Sequence, residues 1–545
     1  MRLSRRTRLA GVAFVAVGSL TLAACGGGSD DKAGKTDSVI TVYGTNPQNP
    51  LIPTATNEVG GGDPIDNLFK GLVAYNTDGS VSNEVAESIE PDAAKKVWTV
   101  KLKSGEKFTD GSAVTAESFV KAWNYGANPD NKQLNNYFFY PIEGTDDIGN
   151  TVGGDTVKGL KVVDDSTFTI TLKAPESDFP LRLGYSAYFP VPDAAYGPDG
   201  KITKEFGERP IGNGPYKLTK SGWERNKQIS LEPNKDYEGI HKAKNGGLVF
   251  KFYAGGGSDA AYTDVQSGNL DVLDQVPPSA LTTFESDDKV SAFNEPGSSF
   301  SSLTIPEKLA HFDGAEGDLR RAAISLAVNR PEITEKIFNN ARTPAKDFTS
   351  PVLDGWTEDV AGNDVLTFNA DEAKKKWAEA DAISKWDGKF IVAYNADGAG
   401  NKEFTEAMTN QIKNVLGIDS KAKVYPTFDE LRKEVTDRTI KTAFRTGWQA
   451  DYPSMLNYLG PIYATGAGSN DGDYTNPDFD KLISDASAAE GDARYKLIGE
   501  AQAILLKELP AIPLWYQNAT AVTSKDLNGF VFNWKQKPDY YALTK

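Results

Sequence analysis

The spacing of hydrophobic positions changes period along this chain, and each change marks an element. Val39-Ile40-Thr41-Val42-Tyr43 is β-branched and reads as a strand. A loop rich in proline, asparagine and glycine follows to Gly62, and residues 64–72 predict a short helix closed by Gly71. Val97–Leu102 alternates apolar and polar side chains, the two-residue period of a half-buried strand. Thr115 predicts the N-cap of the next helix. Residues 161–172 read as a β-hairpin turning at Asp164-Asp165, with further strands in 210–230 and 247–253. From residue 318 onward the period approaches 3.6. Phe404, Met408, Ile412 and Val415 form one core-facing stripe that Gly417 can end. Thr427 with Glu430 is a capping box, and Asn476-Pro477 opens another helix. Residues 493–509 form a long amphipathic helix stopped by Pro510, and 512–522 return as a strand. Strand-rich sections on either side of a helix-rich one predict an α/β chain with one lobe inserted into the path of another.

The first 37 residues follow another logic. Residues 1–8 are basic, and 9–24 are apolar, too short a run for a comfortable membrane span. The run ends in Leu22-Ala23-Ala24-Cys25, small residues before the only cysteine of the chain. This pattern resembles the lipobox of bacterial lipoproteins. It predicts a signal peptide over 1–24 and a lipidated Cys25 as the first mature residue. Residues 25–37 (CGGGSDDKAGKTD) predict a flexible polar tether.

Charge then narrows the field. The formal net charge is −16, and setting aside the four arginines of residues 1–24 leaves 55 basic against 75 acidic side chains, a balance of −20. A nucleic-acid partner needs a basic footprint, which this chain does not have. One cysteine and two histidines, His241 and His311, leave too few ligands for a Cys/His zinc site. The 545 residues give a prior of two large lobes or three to four domains.

One stretch combines strand character with chemistry: Arg445-Thr446-Gly447-Trp448-Gln449-Ala450-Asp451-Tyr452-Pro453. Arg445 and Asp451 stand an even number of positions apart. In a straight strand they would share a face, at most roughly 20 Å apart. An anion and a cation so placed suit an extended zwitterion.

Several motifs in order resemble the extracellular peptide-binding proteins of ABC transporters, the oligopeptide and dipeptide receptors. They are NLFKGL at 67–72, WTVKLKSGEKFTDGSAVTAESFVKAWN at 98–124, RPIGNGPY at 209–216, LRRAAISLAVNR at 319–330 and GWQADY at 447–452. The resemblance spans about residues 38–540. It implies a large two-lobed fold like that of periplasmic binding proteins, with an extra domain and the ligand in the cleft between lobes. The first lobe would comprise 38–75, 190–300 and 520–545, the extra domain 76–189, and the second lobe 301–519. It implies no enzymatic activity, no cofactor and no metal. The partners would be an extended peptide with free termini, ABC permease subunits, and the membrane through a lipid on Cys25. The protein would be a monomer on the extracytoplasmic face of a bacterial cell membrane.

The same resemblance assigns site roles. Asp451 would receive the peptide's α-amino group and Arg445 its carboxylate. Gly447, Trp448 and Gln449 would pair with the peptide backbone, with Trp448 also walling a side-chain pocket and Tyr452 beside Asp451. Thr56–Gly60, with Val59, would face them as a strand segment, and Trp515-Tyr516-Gln517 would line the cleft where the chain crosses between lobes. Alternatives remain on sequence grounds. The same fold could carry a nickel complex, haem, an opine or an oligosaccharide. A surface hydrolase is the other class, although the chain has no Gly-x-Ser-x-Gly nucleophile elbow.

Overall fold

A computed structural model describes residues 37–253, 257–396 and 400–545. The predicted signal peptide, Cys25 and nearly all of the tether lie outside the described residues.

Eleven strands make the main sheet. In chain order they are β1 (Val39–Gly44), β2 (Tyr216–Glu224), β3 (Gln228–Pro233), β4 (Gly247–Phe252), β5 (Val272–Leu273), β6 (Ser291–Thr304), β7 (Arg342–Pro344), β8 (Phe390–Asn395), β9 (Ser420–Tyr425), β10 (Ala443–Gln449) and β11 (Ala511–Thr523). Across the sheet they run β9-β8-β10-β6-β11-β5-β1-β4-β3-β2, with β7 on β11. The long antiparallel pair β6 and β11 is the spine. Its register shifts twice, between Pro296 and Ser299, where two residues go unpaired, and again between Ser301 and Ser302.

Two large apolar clusters lie on either side of the first shift. One gathers β1, β4 and the end of β11 (Ala519, Ala521). The other gathers Phe300 and Leu303 of β6 with Ile512, Leu514, Trp515 and Tyr516 of β11. Both spine strands therefore pass from one core into the other. A four-stranded antiparallel sheet (Ala86–Pro91, Val97–Leu102, Thr167–Thr171, Leu160–Asp164) shares the first core through Trp98, Val100, Phe168 and Ile170. Near the end of the chain, Trp534 leaves its neighbours Phe530 and Phe532 in the first core and joins the second.

Local rules explain most element ends. Thr115 caps the helix Ala116–Ala127 in a box with Ser118, and Thr427 accepts from the Glu430 N–H at 3.3 Å. Gly417 ends the helix Asn401–Leu416 at φ 71°, where a side chain would be strained. Asn476 caps the helix Pro477–Ala488 with proline in its first turn.

The helix expected over 64–72 starts earlier. Helix α1 is Val59–Leu68, with the Glu58 carboxylate accepting the Gly61 N–H at 3.0 Å. A run of three glycines hides this start from any hydrophobic period. Gly71 is not its cap. A Cβ there would lie 2.8 Å from the Leu183 carbonyl, so that glycine serves a close approach between segments. Gly212 of the 209–216 turn does the same against α1, where a Cβ would fall 1.9 Å from the Leu68 carbonyl. Thr56–Gly60, expected as a strand facing the site, is instead the loop and first turn leading into α1.

Candidate functional site

Strand β10 enters the sheet paired on both edges and leaves it paired on one. Strand β8 reaches only Ala443 and Phe444, while β6 stays paired as far as Gln449. Among the described residues no strand pairs the other edge of residues 445–449. Burial changes in step: Ala443 and Phe444 are buried, Gly447 and Gln449 exposed. The segment thus carries backbone N–H and C=O groups that lack a strand partner on one side.

A cavity of about 450 Å³ adjoins this edge. Arg445, Gly447, Trp448 and Gln449 line it, with Gln517 of β11 and Arg432 of helix α2 (Phe428–Thr436). The Arg445 guanidinium donates to Asn395 Oδ1 at 3.0 Å, at the end of β8.

Past Gln449 the chain bends, so Arg445 and Asp451 do not share one straight strand face; the extended geometry stops before the aspartate. The bend is held by Asn457 of helix α3 (Leu456–Tyr463). Its Oδ1 accepts from the Asp451 backbone N–H at 2.8 Å and from Trp448 Nε1 at 3.4 Å, and its Nδ2 donates to Asp451 Oδ2 at 3.4 Å. From a different part of the chain, the Tyr137 hydroxyl donates to Asp451 Oδ1 at 3.5 Å. Burial raises the Asp451 carboxyl above its ordinary 3.8; Asn457, Arg182 and Tyr137 offset that only in part. The carboxylate is incompletely compensated by its neighbours.

The raised pKa has a stability consequence. A carboxyl whose pKa rises on folding stabilises the fold below its unfolded pKa, and that contribution is lost as pH rises through the folded value. Asn has no charge to strand. Asp451→Asn should therefore raise the melting temperature of the ligand-free protein at pH 7 and leave it unchanged near pH 3. Thermal melts at the two pH values check this, and a lower melting temperature at pH 7 would contradict it.

The other predicted residues fall in three places. Val59 is exposed at the first position of α1. Tyr452 is buried under the Arg182 guanidinium, 4.3 Å from its ring centre, and does not line the cavity. Trp515 and Tyr516 do not line the cleft. Each is 1 % exposed. Trp515 packs on Phe338 and Phe404, and Tyr516 donates to Asp347 at 2.6 Å. Strand β11 is central and buried on both faces, so neither side of it meets solvent there; Gln517 is the member of that trio on the cavity. Tyr137, Asn457 and Arg182 were not predicted. The two histidines lie elsewhere: His241 stacks on Tyr541, and His311 bridges Glu316 and Asp387.

Known proteins share this architecture. The model for bacterial extracellular solute-binding proteins, family 5 Middle, matches residues 80–470. The chain is 26 % identical over 544 residues to the oligopeptide-binding protein OppA of Bacillus subtilis, covering 95 % of this chain and 96 % of that one. It superposes with a TM-score of 0.80 and 22 % identity on the unliganded open form of the periplasmic murein tripeptide binding protein MppA, covering 93 % and 97 % of the two chains. It also superposes at 0.71 and 18 % identity on the Helicobacter pylori periplasmic binding protein DppA in complex with the peptide STSA, covering 93 % and 98 %.

Proposed function

Because this chain belongs to family 5 of the bacterial extracellular solute-binding proteins, we propose that it captures extracellular peptides and hands them to an ABC transporter permease, without turnover. The observation that carries this reading is the strand edge 445–449, open on one side and followed by a half-buried aspartate. An extended peptide can add to such an edge as a further strand, pairing its backbone regardless of sequence. Asp451 then receives the α-ammonium, and Arg445 takes the carboxylate of a ligand of matching length. Gly447 and Gln449 offer backbone, and Trp448 a side-chain wall.

Residues 38–75, 190–300 and 520–545 form the first lobe, 76–189 the extra domain and 301–519 the second lobe, closing on the ligand about the spine. Tyr137 of the extra domain reaches the second lobe's wall at Asp451, and Val59 of the first lobe would contact the ligand only once the lobes close. The protein works as a monomer held at the outer face of the membrane by a lipid on Cys25. The name of the OppA relative and the bound peptide of the DppA structure support the ligand class.

Native mass spectrometry of protein purified gently from its host tests the reading. Peptides of a few residues should travel with it at one per chain. Copurified sugar, haem or nickel complexes in place of peptides would overturn it.

A further inference from the structure

The cavity beside β10 holds a second arginine that no pairing of a peptide backbone requires. Arg432 projects from α2, with 36 % of its side chain exposed. Two of its nitrogens, Nη1 and Nη2, donate to the Asp471 carboxylate, the latter at 3.2 Å. A guanidinium has five N–H donors. Among the described residues Arg432 has no other acceptor.

Asp471 cannot neutralise it fully, because the same carboxylate also accepts from Arg438 Nη1 at 3.2 Å. Arg438 in turn donates to Asp473 at 2.7 Å, and Lys308 also pairs with Asp473. Three cations, Lys308, Arg432 and Arg438, thus share two anions, Asp471 and Asp473, at this end of the site. This local excess of positive charge sits on a chain whose net charge is −16. The buried Asp471 also fixes the guanidinium in place, so little ordering remains to be done on binding. Phe428, Leu431 and Trp448 line the same cavity and can cover the methylenes of an incoming side chain.

We propose that this cavity selects for a carboxylate on the ligand and that Arg432 is the residue that sets the preference. The inference rests on the peptide-binding reading above and narrows its substrate class to peptides bearing an acidic group there. The carboxylate can come from a glutamate or aspartate side chain or from the free chain end.

Calorimetry with the folded protein tests this. The probes are tetra-alanine, the four peptides with a single glutamate in place of an alanine, and the amidated form of each. Wild type should bind at least one glutamate peptide about tenfold more tightly than its alanine parent. Arg432→Gln should erase that preference, bringing the glutamate peptide and its alanine parent to within about twofold of each other. Asp471→Asn should enlarge the preference, since it removes the competing carboxylate while Arg432 stays. A purely structural role for the pair would instead weaken all probes together, and that result overturns the inference. If amidation, and not loss of glutamate, removes what Arg432→Gln removes, the carboxylate is that of the chain end. Absence of any preference while peptides still bind defeats this inference alone. Absence of all peptide binding defeats the peptide reading and this one with it.

Discussion

Asp451→Ala should weaken binding of peptides with a free amino terminus by about 10- to 150-fold and leave their N-acetylated counterparts nearly unaffected. A hydrogen bond to a charged group contributes roughly 1.5–3 kcal/mol net, and each 1.4 kcal/mol is a factor of about ten. Asp451 meets the conditions for the upper part of that range. Burial already raises the cost of its charge, so an ammonium that compensates that charge is favoured. Asn457 holds Asp451 at two points, accepting its backbone N–H and donating to one carboxylate oxygen, so little order is lost when the ligand arrives. An acetylated terminus carries no charge and gains none of this. Titration calorimetry of matched peptide pairs reads the difference directly. Equal losses for the free and acetylated forms would remove Asp451 from its proposed role.

The second large effect lies away from the cavity. Asp178 and Arg494 form an ion pair with side chains only 3 % and 11 % exposed. The Ser454 hydroxyl donates to the same carboxylate at 2.6 Å and accepts from Arg494 at 2.9 Å. The chain positions joined here lie about 300 apart, and the Ser177 N–H adds a bond to the Ser487 carbonyl at 2.7 Å beside them. Asp178→Ala would leave the Arg494 charge buried and unpaired, which costs about 3–5 kcal/mol. Removing both charges is a different matter: Asp178→Leu with Arg494→Met should recover most of the loss, because well-packed apolar replacements of buried pairs are often neutral or better. Urea unfolding of the two variants checks the pattern. A single substitution costing less than about 1 kcal/mol would mean that water reaches the pair and screens it.

What the sequence made legible was what is local. Thr427 with Glu430, Asn476 with Pro477 and the Phe404–Met408–Ile412 stripe each carry their signal within a few residues, and each element forms where its signal lies. The edge strand was legible too, because residues 443–449 combine strand propensity with a glycine. Its partners were not. Tyr137 stands 314 positions from Asp451, and nothing around it distinguishes it from neighbouring aromatics. Asn457 is only six positions away, yet reads as an ordinary polar residue of a helix start. Trp515 and Tyr516 misled for the opposite reason. Alternation separates faces only where one face is wet, and β11 is dry on both sides over most of its length.

The paired spine constrains how the two cores can move. Strands β6 and β11 cross between them side by side, joined by register pairs on both sides of the shift at Pro296–Ser299. The pairing is interrupted twice, at Pro296–Ser299 and again at Ser301–Ser302, so the crossing is tied on both sides of each break. If the proposed lobes close on a ligand, both crossing strands must bend together, and a distance between labels placed on the two cores should shorten when peptide is added.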